Sequence, residues 1–126
     1  MIEDLIDKLG LTEFSDQIVN SDYTVIEDGK LTQLDLGLCD AETLPDNAFT
    51  TCPDLELLNL SAMGLVQLPK NIFQPLTKLR ILGLKSNNLE KIDPSYFSNN
   101  PNLEVVNLEF NPLASHFELD GVRVIY

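Results

Sequence analysis

The chain is short of positive charge, with eight lysines and arginines against twenty aspartates and glutamates and a formal net charge of −12. So few cations cannot neutralise a phosphate backbone or settle on an anionic membrane, since both depend on basic patches. Nucleic acid and membrane are therefore set aside as partners. There is one histidine, His116, neither cysteine has a basic neighbour in sequence, and the twenty carboxylates are scattered over solvent positions, so the signals for acid–base or thiolate catalysis are poor. No glycine-rich phosphate loop is present, and no cluster has metal-ligand spacing. The segments "IEDGK" and "ELDGV" carry too few oxygen ligands for a calcium loop. No apolar run approaches the ~18 residues of a membrane-spanning helix. The start, "MIEDLIDKLG", lacks the basic first segment and apolar run of a secretory leader. Nothing here points to an enzyme, a cofactor or a metal.

What the chain does have is leucine at a fixed beat. The 126 residues suit one domain, and 44% hydrophobic content supplies a core. Leu79, Leu82, Leu84 and Leu89 in "LRILGLKSNNL" fit neither helical spacing nor strand alternation throughout. The figure recurs in "LTQLDLGLCDAETL", "LELLNLSAMGLVQL" and "LEVVNLEFNPL". Its starts, at 31, 55, 79 and 103, are 24 residues apart, and a fixed period of this size marks a solenoid. Phe49, Phe73 and Phe97 keep the same interval.

"LRILGLKSNNL" resembles the leucine-rich repeat pattern LxxLxLxxNxL, over residues 31 to about 113 and on towards 126. The resemblance implies an α/β fold: a right-handed solenoid whose turns each give one short parallel strand to a concave sheet, then return over a convex side. It puts strands on 33–37, 57–61, 81–85 and 105–109 and the three phenylalanines in one buried column. Pro45, Pro69 and Pro94 open the return segments, where short helical turns are expected. In the family the ninth-position asparagine bonds adjacent turns. Asn87 and Asn111 can do this, whereas Cys39 is a weak donor and Met63 has no hydrogen to donate. Local irregularity is expected in those first two turns. Cys39 and Cys52 fall at different points around one coil, so no disulfide is expected, and both pack as small core groups. Secreted animal members carry capping cysteine clusters. Their lack here favours a reducing compartment or a bacterial source. His116 occupies the place of Leu44, Leu68 and Ile92, which predicts a half-buried structural histidine. "NLS" at 59–61 lies within a strand and is not read as a glycosylation site.

A solenoid needs covers over its open ends. We divide the single domain into an N-terminal cap, 1–30, four repeats, 31–113, and a shortened repeat or cap, 114–126. Ile2, Leu5, Ile6 and Leu9 have helical spacing, Gly10 ends that helix, and Thr12 caps a second one carrying Phe14 and Ile18. Asp28-Gly29 turns a hairpin into the first repeat strand. Eight acidic residues fall in 1–30, either as a solvated face or as a docking surface for a basic partner. At the other end Leu119, Val122 and Val124 form a fifth repeat strand, or Asp120-Gly121 turns a hairpin; the spacing fits both.

Leucines at positions four and six of each repeat point inward, so positions three, five and seven face the concave side. Position three reads Gln33, Leu57, Ile81, Val105; position five reads Asp35, Asn59, Gly83, Asn107, with Arg123 in a fifth turn; position seven reads Gly37, Ser61, Lys85, Glu109. Phe110 stands at position eight, with Tyr126 after it. The partner-binding candidates are Leu57, Ile81 and Val105 as an aliphatic stripe, then Asn59, Lys85, Asn107, Glu109, Phe110 and Tyr126. The expected function is a non-catalytic module that binds a protein or peptide on its concave face. The alternative is a structural unit that self-associates through the stripe or targets a larger assembly.

Overall fold

Ile2, Leu5, Ile6 and Leu9 recur at helical spacing, and the chain forms α1 over Ile2–Lys8. The computed structural model describes residues 2–126. Gly10, at φ +72°, ends α1: its amide donates to Asp7 O and that of Leu11 to Ile6 O, the paired bonds of a Schellman turn. A 3-10 turn, Thr12–Phe14, leads into α2, Ser15–Asn20. The expected cap from Thr12 does not form; its hydroxyl donates back to Asp7 Oδ1 at 2.8 Å instead. The inward residues of both helices join the core that holds Leu34 and Leu36.

β1, Val25–Glu27, and β2, Lys30–Asp35, form an antiparallel hairpin. Its two-residue turn, Asp28-Gly29, has φ of +51° and +77°, the hand that matches strand twist. β3, Leu57–Asn59, β4, Ile81–Gly83, β5, Val105–Asn107, and β6, Arg123–Ile125, follow, each parallel to the one before. Gln33, Leu57, Ile81 and Val105 lie opposite one another, so the 24-residue period is the register of the sheet. β3, β4 and β5 are shorter than the five-residue spans read from the repeat, and β2 starts and ends earlier than its span. The backbone ladder nevertheless runs on, with Leu60 N–H to Gly83 O at 2.8 Å and Ala62 N–H to Lys85 O at 2.9 Å. Positions four and six, Leu34 to Val106 and Leu36 to Leu108, are buried throughout.

On the convex side Phe49, Phe73 and Phe97 are buried; the rings of the last two stack at 5.7 Å, and Phe117 continues at 6.2 Å. Only one of the three return segments contains a helical turn, Pro94–Phe97. There Asp93 precedes the proline and its carboxylate accepts from Ser95 N–H at 2.8 Å. Leu44 and Leu68 precede Pro45 and Pro69 and carry no acceptor, so those segments stay as tight turns.

The chain leaves each strand through a left-handed residue: φ is +68° at Leu38, +55° at Ala62, +60° at Ser86 and +61° at Phe110. Each costs about 1–2 kcal/mol for a residue with a Cβ, and the bend turns backbone groups towards an apolar interior. Asn87 satisfies them. Its Oδ1 accepts from Met63 N–H at 3.0 Å and Leu65 N–H at 3.1 Å, and its Nδ2 donates to Leu60 O at 2.9 Å and Leu84 O at 3.0 Å. The side chain thus reaches back one turn, and Met63 needs no donor of its own. The irregularity expected in the first two turns is absent, and strand register is constant through them. Asn111 repeats the pattern on Leu89 N–H, Leu84 O and Leu108 O. Beside Cys39 the helix α2 supplies the donor, Gln17 Nε2, to Gly37 O at 3.3 Å and Cys39 Sγ at 3.6 Å.

The C-terminal segment combines the two alternatives. Leu119 and Val122 bridge antiparallel around Asp120-Gly121, and the chain then adds β6 parallel to β5. The reversal shortens the turn and shifts its register: Val124 lies opposite Val106, so Arg123 stands at position three beside Val105, not at position five. His116 is exposed, not half-buried, because Phe117 takes the inward place. The His116 ring stacks on Tyr126 at 3.8 Å.

Truncating Asn87 strands three buried backbone groups at once, Met63 N–H, Leu65 N–H and Leu60 O, while Leu84 O keeps its bond from Asn111. Asn87→Ala should lose about 3 kcal/mol or more of stability, whereas exposed Asn88→Ala should stay within ~0.5 kcal/mol. Urea unfolding of both reads this out; equal midpoints would contradict the role given to Asn87.

Candidate binding face

Ile81 and Leu82 are neighbours in sequence with opposite fates: Ile81 is 37% exposed and Leu82 is 0%. The alternation of side chains along β4 sends one to water and the other to the core. Leu57 and Val105, aligned on either side of Ile81, are half-buried. The aliphatic stripe is therefore continuous, with its most exposed point in the middle. Arg123 extends the same row on β6.

A charged rim runs along the starts of these strands. Arg80 Nε donates to Glu104 Oε2 at 2.5 Å and Nη1 lies 3.8 Å from Glu56 Oε1; Lys78 Nζ lies 2.7 Å from Asp54 Oδ1. The hydrogen bond from Lys78 holds the Asp54 carboxyl below its ordinary range. These pairs link residues 24 apart in water and contribute little each. Where the hairpin meets the sheet, a cleft of about 270 Å³ is lined by Glu27, Thr32, Gln33, Glu56, Leu57, Arg80 and Ile81. Glu27 belongs to the acidic N-terminal set, but sequence reading missed Glu56, Arg80 and Glu104. Position two of an alternating strand should point inward, but here the chain is only entering the sheet and the side chain stays at its rim. The alternating signs of Glu56, Arg80 and Glu104 at the 24-residue interval are the signal that marks them.

The structure spreads the remaining candidates over different tasks. Asn59 Oδ1 accepts from Ser61 N–H at 3.1 Å and its Nδ2 donates to Asp35 Oδ1 at 2.9 Å; Asn107 does the same with Glu109 N–H at 3.0 Å and Glu109 Oε1 at 3.2 Å. Both shape the strand ends and spend most of their bonding capacity inside the chain. A Cβ at Gly83 would lie 2.9 Å from Asn59 Oδ1, so the missing side chain is what lets Asn59 sit there. Lys85 is exposed, its Nζ 5.5 Å from the ring centroid of Phe110, which is 73% exposed; Glu109 is half-buried. Tyr126 lies apart, its hydroxyl 2.7 Å from Phe117 O. Leu57, Ile81 and Val105 are the candidates that the sheet brings together.

Neither cysteine is a poised nucleophile. Both are buried and unpaired. Burial, then the nearby Asp35, pushes the Cys39 thiol from 9.0 up to about 11 against a smaller opposing hydrogen bond from Gln17. Burial also raises Cys52. Among the described residues, no group of three or more histidine, cysteine or acidic side chains is arranged to hold a metal.

The family profile for the leucine rich repeat matches residues 29–89 and 77–121, most of the chain. The chain belongs to the leucine-rich repeat family. Two solved members resemble it: the leucine-rich repeat domain of APL1, 33% identical over 60% of this chain with a TM-score of 0.54, and a leucine-rich repeat protein of Leptospira interrogans, 32% identical over 60% with a TM-score of 0.53. The matches cover 19% and 18% of those longer chains. The leucine-rich repeat ectodomain of the Arabidopsis receptor kinase HAESA shares the fold over 87% of this chain and 24% of its own, at 22% identity and a TM-score of 0.60. None of the curated proteins matches the chain.

Thiol titration tests the packing of these leucine-rich repeat turns. Cys39 and Cys52 should react with a disulfide reagent only slowly at neutral pH and rapidly in urea. The raised Cys39 thiol leaves stability intact below pH 9.0 and erodes it as the pH climbs towards about 11. Alkaline unfolding midpoints of Cys39→Ala against the parent check the sign; a parent that does not lose stability relative to the variant over that window contradicts it.

Proposed function

We propose that this leucine-rich repeat domain is a non-catalytic module that binds a protein or peptide on its concave face. The fold is generally a protein-binding one, and the HAESA ectodomain was solved with a peptide hormone, an N-terminally extended IDA. The observation that carries the reading is the in-register row Leu57, Ile81, Val105, with Ile81 exposed at its centre and charged groups along its rim. Fully burying such an aliphatic side chain yields about 1.5–3 kcal/mol, enough for a central anchor, and rim charges then tune rate and salt dependence.

Ile81→Lys separates folding from binding. The substitution should move stability by only ~0.5 kcal/mol, as at surface positions. It should also lose a partner captured from native lysate by the parent, with affinity for the purified partner down at least about tenfold. Lys85→Ala should cost less. A fall in stability of several kcal/mol would place Ile81 in the core, and unchanged capture would move the binding surface off the concave face. Unchanged stability with dissociation of a homodimer would assign the stripe to self-association.

A further inference from the structure

The two ends of the concave row carry opposite, unspent charges. At the hairpin end, Glu27 and Glu56 flank the cleft whose apolar wall is Leu57 and Ile81. The Glu27 carboxylate has no hydrogen bond or ion pair among the described residues. Glu56 makes one ion pair, its 3.8 Å contact with Arg80, whose guanidinium is held more closely by Glu104, and it also acts at longer range on Lys78, which Asp54 holds more closely. At the opposite end Arg123 is exposed, and its guanidinium is unpaired among the described residues. Between them, position three carries only Leu57, Ile81 and Val105 on β3 to β5.

Spacing gives these ends a length. Adjacent strands lie about 4.8 Å apart, so β2 to β6 is about 19 Å. An extended chain laid across them rises ~3.3 Å per residue and turns alternate side chains to the sheet. Facing side chains one and seven are then about 20 Å apart, while the third falls between Leu57 and Ile81 and the fifth near Val105. Resting on the concave-face reading above, we propose that the ligand is an extended protein segment of about seven residues. It presents a lysine or arginine first, aliphatic side chains third and fifth, and a carboxylate seventh. The aliphatic stem of the cation lies along Leu57 with its head between Glu27 and Glu56; the carboxylate pairs with the planar fork of Arg123.

The test titrates the isotope-labelled 126-residue chain with three blocked peptides and follows its amide resonances. One peptide is Lys-Ser-Leu-Ser-Leu-Ser-Asp; the others carry lysine at both ends or aspartate at both ends. At low salt the mixed peptide should bind tightest, and each wrong end should weaken binding by about threefold. Arg123→Glu should make the doubly lysine peptide the best ligand, and the pair Glu27→Gln with Glu56→Gln should remove the preference for lysine at the first position. Equal affinities on the parent, an unchanged ranking on Arg123→Glu, or no shifts from any peptide at millimolar concentration would overturn the charge order. If a partner captured from lysate still needs Ile81 in that case, the concave-face reading stands and the ligand inference alone fails. Peptide binding that survives Ile81→Lys overturns both. Shifts that follow protein concentration alone would make a second copy the occupant and overturn the proposal.

Discussion

A backbone that leaves a strand, turns sharply and passes beneath its neighbour exposes amides and carbonyls to an interior that offers them nothing. The fold depends on answering that constraint. Asn87 answers it with one amide: two hydrogens for two carbonyls, one oxygen for two N–H groups. Asn111 does so one turn later, and Gln17 closes the exposed first turn from outside the repeat. On the convex side Asn100 plays a similar part, its Nδ2 donating to Phe73 O and Leu76 O, both at 2.9 Å. With the bends satisfied, each turn can superpose on the last, and superposition sets which side chains meet across the sheet.

Where structure repeats, the sequence announces it. The interval of 24 residues reads directly as strand register, and the inward leucines, the phenylalanine column and the outward Ile81 all follow from it. What breaks the period was harder to read. Gln17 lies outside the repeat, so its service to Gly37 O left no trace in the spacing. Met63 looked like a gap because the neighbour that fills it belongs to the following turn. The fifth turn slipped in register because the reversal at Asp120-Gly121 uses residues that a simple count assigns to the strand, and Arg123 moved from one column to another. Proline alone did not produce helical turns; Asp93, as an acceptor ahead of Pro94, decided where one formed.

The concave face proposed for binding is thus a mixture of what the repeat fixes and what local chemistry adds. The repeat supplies a flat row of parallel strands, and its third position is aliphatic on three of them. Burial is uneven along that row: Ile81 is exposed and Leu57 and Val105 are half-buried. Asn59 and Asn107, prominent in sequence, serve the strand ends. The charges proposed to give the face a direction come from the hairpin, the rim and the irregular last turn, where Arg123 ends the row that Leu57, Ile81 and Val105 fill.

The most direct test of the account is the inside-or-outside choice at two adjacent residues. Ile81→Cys and Leu82→Cys, each made in a chain whose native cysteines stay buried and slow, should differ in labelling by a thiol reagent under native conditions. Position 81 should label rapidly, and position 82 should stay protected until urea unfolds the chain. Comparable labelling at both sites, or protection of 81 with exposure of 82, would contradict the register on which the concave face rests.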